Sequence, residues 1–158
     1  MRKVLLPLLL VGLLILTACG TALPPGESSP APDFAVQDMQ GNQVAFEPGQ
    51  PLVLNFWASW CPACRGMMSD WQTMFDEQDD VRMMSVNVGE TRERATDFIA
   101  GLGHSFPVYL DTLQEAAREF SLTHFPTTVF INADGEVMHR HIGPLNATML
   151  RLYIDDLR

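Results

Sequence analysis

The sequence predicts an α/β sandwich: a central mixed β-sheet with helices on both faces. Three observations carry that expectation. Leu52 to Trp57 is an unbroken apolar run, as in a central strand covered on both sides. Apolar residues recur at helical spacing after Cys61, after Thr91, from Leu113 and after Asn146. Strand-like and helix-like segments alternate, and a hairpin and a helix finish the chain. No internal repeat is present.

Taken in order, Phe34-Ala35-Val36 and Gln43-Val44-Ala45-Phe46 flank the turn residues Gln40-Gly41-Asn42 and read as a hairpin. Leu52 to Trp57 follows as the first central strand. The next helix begins near Cys61, with Pro62 at the first helical position, where its missing N–H would be unpaired in any case. Cys64, Met67, Met68, Trp71, Met74 and Phe75 share one apolar face. Val81 to Val88 is the next strand. Thr91 can cap a helix that packs Ala95, Phe98, Ile99 and Leu102. Pro107 to Leu110 is a short strand, and Leu113, Ala116, Ala117 and Phe120 mark another amphipathic helix. Thr127 to Ile131 and Glu136 to His141 form a hairpin around Asn132-Ala133-Asp134-Gly135. Asn146 can cap a last helix packing Met149, Leu150, Tyr153, Ile154 and Leu157.

Ahead of this domain, Arg2 and Lys3 precede an apolar stretch from Val4 to Leu16, too short to span a bilayer, which needs roughly 20 residues. Leu16-Thr17-Ala18-Cys19 resembles the bacterial lipobox, which implies cleavage before Cys19 and a lipid anchor on it. An ordinary signal peptide and an uncleaved signal anchor are the other readings, and all three place the domain outside the cytoplasm. Residues 1–18 are thus expected to be a lipoprotein signal peptide. Residues 19–32, rich in Pro, Ser and Gly, are expected to be the anchored cysteine and a flexible tether, and residues 33–158 one folded domain. The net charge is −9, and −11 once Arg2 and Lys3 are removed. It argues against nucleic acid and against electrostatic docking on anionic lipid.

The chemistry lies in Trp60-Cys61-Pro62-Ala63-Cys64. A Cys-x-x-Cys that follows a buried strand and opens a helix is the redox arrangement of thioredoxin-like proteins. Of three cysteines, Cys19 is taken by the lipobox, which leaves Cys61 and Cys64 for each other. A closed zinc site would want four ligands, and no second cysteine pair exists. A purely structural disulfide is the other bland reading. Cys61 at a helix N-terminus would have its thiolate stabilised by unpaired N–H groups and the helix dipole. His139 and His141, two apart on a strand, share a face and could bind a metal, although an exposed strand face explains them as well. His124 lies near Pro126 in sequence and is either a tuning group for the cysteines or a loop-surface residue. Met67, Met68 and Met74 read as core filling rather than as a copper site.

The domain as a whole resembles the membrane-tethered TlpA/ResA-type thiol–disulfide oxidoreductases of thioredoxin-like fold, and their CcmG/DsbE relatives in cytochrome c maturation. The matching segments are Ala31-Pro32-Asp33-Phe34, Leu54 to Arg65, Phe106 to Asp111, Phe125 to Ile131 and Asp134-Gly135, in the family's order. The N-terminal hairpin resembles this subfamily rather than plain thioredoxin. The resemblance implies Cys61 as nucleophile, Cys64 as resolving thiol and Pro126 as a cis-proline facing them, where an ordinary trans-proline would be the alternative. It implies that Trp60, Pro62 and Phe125 contact substrate. No cofactor or metal is expected. The implied partners are a disulfide-containing exported protein such as apocytochrome c and a transmembrane electron donor of the CcdA/DsbD kind. Competing functions are a disulfide-forming oxidant and a copper-delivery protein. The sequence departs from the family at Met67, where an acid is usual, at Ser69, where proline is usual, and at Phe125, bulkier than the usual Thr or Val. Asn55 stands where plain thioredoxins carry an acid. Both usual proton acceptors near Cys64 are therefore missing.

Overall fold

A computed structural model describes residues 28–158. The expected signal peptide and Cys19 lie outside the described residues. The chain runs through β1 (Ser29–Pro30), β2 (Ala35–Gln37), β3 (Gln43–Ala45), β4 (Leu52–Trp57), α1 (Pro62–Glu77), β5 (Arg82–Val88), α2 (Arg92–Leu102), β6 (Val108–Asp111), α3 (Glu115–Glu119), β7 (Thr127–Ile131), β8 (Glu136–Ile142) and α4 (Ala147–Asp155). All eight strands form one sheet in the order β1-β8-β7-β4-β5-β6-β2-β3. β4, β5 and β6 are parallel neighbours, whereas β7 pairs antiparallel with β4. The expected mixed sheet and N-terminal hairpin are both present, with β2 and β3 antiparallel at one edge.

Alternation along the central strands divides the core in two. Val53 and Trp57 of β4 and Met83 of β5 face α1, α2 and α4. Leu52, Leu54 and Phe56, with Met84, Val86 and Val88, face α3 and the aromatic pair Phe34 and Phe120. β4 is buried at every residue, as its continuous apolar run requires. Met67, Met68, Trp71 and Met74 of α1 are buried, which places the methionines in the core. Among the described residues, no helix is long and apolar enough to cross a membrane.

Three details differ from expectation. Order begins earlier than residue 33. Ser29 and Pro30 pair with Val137 and Glu136, and the Ala31 N–H donates to the Gly135 carbonyl at 2.8 Å. The end of the expected tether is therefore part of the sheet. Leu113 is 70 % exposed and does not join the α3 face. Asp111 explains why: its carboxylate accepts from the N–H groups of Glu115 (2.8 Å), Ala116 (3.3 Å) and Ala117 (2.8 Å), so the helix starts only at Glu115. Met149 is exposed, because Leu150 and Ile154 define the inward line of α4. Replacing Asp111 by Ala leaves three helix-start donors without that acceptor. The expected loss is about 2–3 kcal/mol of stability, measured by urea unfolding.

Candidate active site

β4 and β5 run parallel, so both end at the same edge of the sheet, where open α/β sheets hold their ligands. β4 leaves that edge through the turn Ala58–Cys61, closed by the Cys61 N–H donating to the Ala58 carbonyl at 3.1 Å. Cys61 is the N-cap of α1, and its Sγ accepts from the Cys64 N–H at 3.2 Å. Pro62 occupies the start of the helix on the exposed side. Cys61 and Cys64 are joined by a disulfide, with Cα atoms 5.3 Å apart. The two sulfurs are not equivalent. Cys64 is wholly buried, and Cys61 keeps 5 % of its surface exposed, so an incoming group meets Cys61 first.

The residues on either side of the pair in the chain are an aromatic one, Trp60, and a cationic one, Arg65. Trp60 is 63 % exposed and packs edge-on against Phe125, with ring centroids 5.9 Å apart. The Phe125–Pro126 peptide bond is cis, and the Pro126 carbonyl accepts from the Gly143 N–H at 2.8 Å. Trp57, by contrast, is core: it is fully buried, donates to Ser85 Oγ at 2.8 Å and stacks on Phe98 at 5.2 Å. Arg65, next to Cys64, lies over the other participant in that stack, 4.6 Å from the Phe98 ring centre. The first turn of α1 has no acidic side chain to oppose a thiolate at its N-terminus.

The sequence therefore places Cys61, Cys64, Trp60, Pro62, Phe125 and Pro126 at one edge of the sheet. The histidines make other contacts. His124 is exposed and shares a 2.8 Å hydrogen bond with Thr123 Oγ1. His139 pairs with Asp156 at 2.6 Å, and both His139 and His141 pack against Tyr153. Among the described residues, no three His, Cys, Asp or Glu side chains gather closely enough to hold a metal ion.

One residue that sequence reasoning missed reaches the redox turn. Glu90 follows β5, and its side chain is only 6 % exposed. Its carboxylate accepts from the Ser59 N–H (2.7 Å), the Ser59 hydroxyl (2.6 Å) and Asn87 Nδ2 (2.7 Å), and pairs with Arg94 Nε (2.9 Å). Burial pushes its carboxyl upward, but the bonds from Ser59 and Asn87 and the charge of Arg94 outweigh that. Together they hold it below the usual glutamate range. The available signal was an acid just past the carboxyl end of the strand beside the one that leads to Cys61. Asn55 is the other notable group. It sits between Ser85 and Thr128 in register, fully buried, and neither polar atom of its amide has a hydrogen-bond partner.

Residues 26–154 match the Redoxin family. The chain belongs to the Redoxin family. This redoxin is 31 % identical over 134 residues to the thiol–disulfide oxidoreductase ResA of Bacillus subtilis, covering 82 % of the chain and 74 % of ResA. It is 29 % identical over 129 residues to the sporulation thiol–disulfide oxidoreductase A of the same species, covering 78 % of each. Among solved structures, StoA from Bacillus subtilis superposes with a TM-score of 0.69 at 29 % identity, covering 78 % of this chain and 96 % of StoA. A thiol:disulfide interchange protein DsbE from Chlorobium tepidum gives 0.69 at 28 % identity, covering 86 % of the chain and 99 % of DsbE. With this kinship and its Cys61–Cys64 disulfide, the redoxin is a thiol–disulfide oxidoreductase of thioredoxin-like fold.

Proposed function

We propose that the protein is a membrane-tethered extracytoplasmic reductase of disulfides in exported proteins, with Cys61 as nucleophile and Cys64 as resolving thiol. The observation that carries the roles is the difference between the two sulfurs: Cys61 caps α1 at the exposed edge, and Cys64 is closed off beneath it.

In the reduced protein the Cys61 thiolate attacks one sulfur of a substrate disulfide. That S–S bond breaks, the first substrate thiolate leaves and takes up a proton, and a mixed disulfide forms. Cys64 then gives up its proton and attacks Cys61 Sγ. The second substrate thiolate leaves and is protonated, and Cys61–Cys64 is oxidised. Two electrons pass to the substrate, and a membrane dithiol donor of the CcdA/DsbD kind restores them. The helix N-terminus favours the attacking thiolate through the Cys64 N–H that Cys61 Sγ already accepts. Trp60 and Phe125 form the apolar face against which an extended substrate segment lies, with Pro62 and Pro126 at its margins. Apocytochrome c is one such substrate.

The leader at residues 1–18 and lipidation of Cys19 would supply the tether. Because Ser29 is already in the sheet, the nine residues between it and Cys19 allow a reach of roughly 30 Å as extended polyproline-type chain. Ser29 lies opposite Val137, near the Leu52 end of β4, so the tether joins the sheet away from the end that carries Cys61.

A redox titration against glutathione or dithiothreitol, with thiols counted by mass, tests the direction of electron flow. A reductase has a potential near or below about −250 mV. A value near about −120 mV would instead make the protein a disulfide-forming oxidant.

A further inference from the structure

We propose that Glu90 is a positioning residue of the disulfide exchange, acting through Ser59 to hold the Ala58–Cys61 turn and with it the attacking sulfur at the start of α1. The inference rests on the reading of Cys61 as the nucleophile.

Glu90 is itself held from several directions. Asn87 binds its carboxylate from the end of β5 and Arg94 from α2. The Thr112 hydroxyl donates to its carbonyl at 3.4 Å from the segment after β6. Gly89 makes that placement possible: its φ is +73°, and a Cβ there would come within 2.8 Å of Gln114 Nε2. Its N–H donates to the Asp111 carbonyl at 3.0 Å. The anchored carboxylate then grips the redox turn at two atoms of Ser59, the backbone N–H and the hydroxyl. Arg94 Nε closes the set by donating to Ser59 Oγ at 3.0 Å.

A buried carboxylate is costly unless its oxygens are fully engaged. Here the engaged donors include the backbone of the segment that carries Cys61, two residues further on. Cys61 Sγ gains from the Cys64 N–H only while the turn keeps it at the helix end, now 3.2 Å away. Freed from Glu90, the turn has Cys61 N–H to Ala58 O as its remaining internal bond. The sulfur then spends less time in the N-cap position, and the thiolate loses stabilisation. Glu90→Gln keeps the shape but turns an amide N–H2 toward a donor, so one side of the clamp opens. A purely electrostatic role predicts the opposite sign, since removing a nearby negative charge lowers a thiol pKa.

The test is the pH profile of iodoacetamide alkylation of Cys61 in the reduced full chain, with the modified cysteine identified by mass. For Glu90→Gln the midpoint is expected to rise by about one pH unit, which makes alkylation about tenfold slower below the midpoint. Ser59→Ala keeps the backbone bond, so it should shift the profile the same way by less. The double variant should be no slower than Glu90→Gln alone, because both act on one contact. An unchanged profile with only a lower unfolding midpoint would reduce Glu90 to a structural residue and overturn the proposal. A midpoint that moves down would assign its effect to charge and overturn it as well. If Glu90→Gln does not fold, a wild-type profile in Ser59→Ala has the same force. Alkylation needs no turnover. A wild-type protein that reduces no disulfide would therefore refute the proposed function and leave this test readable.

Discussion

Cys61→Ser is expected to abolish disulfide reduction, and Cys64→Ser to abolish turnover while sparing the first half-reaction. With a model disulfide and a supplied dithiol reductant, steady-state reduction by either variant should fall at least about a thousandfold, since each removes a partner in the covalent cycle. The two losses differ in kind. Serine at 61 leaves Cys64 as the remaining thiol of the pair, wholly buried beneath the helix start, so no substrate thiol should appear. Serine at 64 leaves the capping sulfur of Cys61, the less buried of the two, in place, so one equivalent of substrate thiol should be released per protein. A burst from Cys61→Ser and none from Cys64→Ser would reverse the assignment.

The second large effect concerns stability. Asn55→Asp should cost about 2–4 kcal/mol at neutral pH, because a carboxylate in this fully buried position lacks compensating donors. Desolvation would raise that carboxyl above its unfolded value of about 3.9. The folded state then binds more protons than the unfolded state between the two values, so the variant loses stability as pH rises through that window. Urea unfolding at several pH values reads this directly. The gap between variant and parent should be largest at neutral pH and shrink toward pH 4. A gap that stays constant with pH would mean that ionisation of the new carboxyl is not what destabilises the variant, and would contradict this account of the site.

Much of the fold was legible because its signals are local. The apolar run of β4, the spacing of Cys64, Met67, Met68 and Trp71, and the caps Thr91 and Asn146 each specify structure within a few residues. The cysteine pair is legible for the same reason, since its members stand three residues apart. The misreadings arise where the deciding contact is distant or unusual. Leu113 fits a helical face by spacing, but the Asp111 carboxylate starts that helix two residues later. Ser29 and Pro30 have no strand-like composition and join the sheet only because β8 offers an edge. Glu90 and Ser59 lie 31 residues apart and meet because β4 and β5 pair in parallel, with Trp57 opposite Asn87. No short motif encodes that register. The absence of acids at Asn55 and Met67 was visible in the sequence, whereas the acid that does reach the redox turn was not.

Cys61, the less buried sulfur at the start of α1, is expected to form the covalent bond to substrate. Trapping tests it most directly: the reduced Cys64→Ser chain is mixed with a disulfide-containing polypeptide, then acid-quenched and mapped by mass without reductant. The expected product is a mixed disulfide carried by Cys61, absent in Cys61→Ser. No adduct at Cys61 with a polypeptide that the parent protein reduces would contradict this expectation.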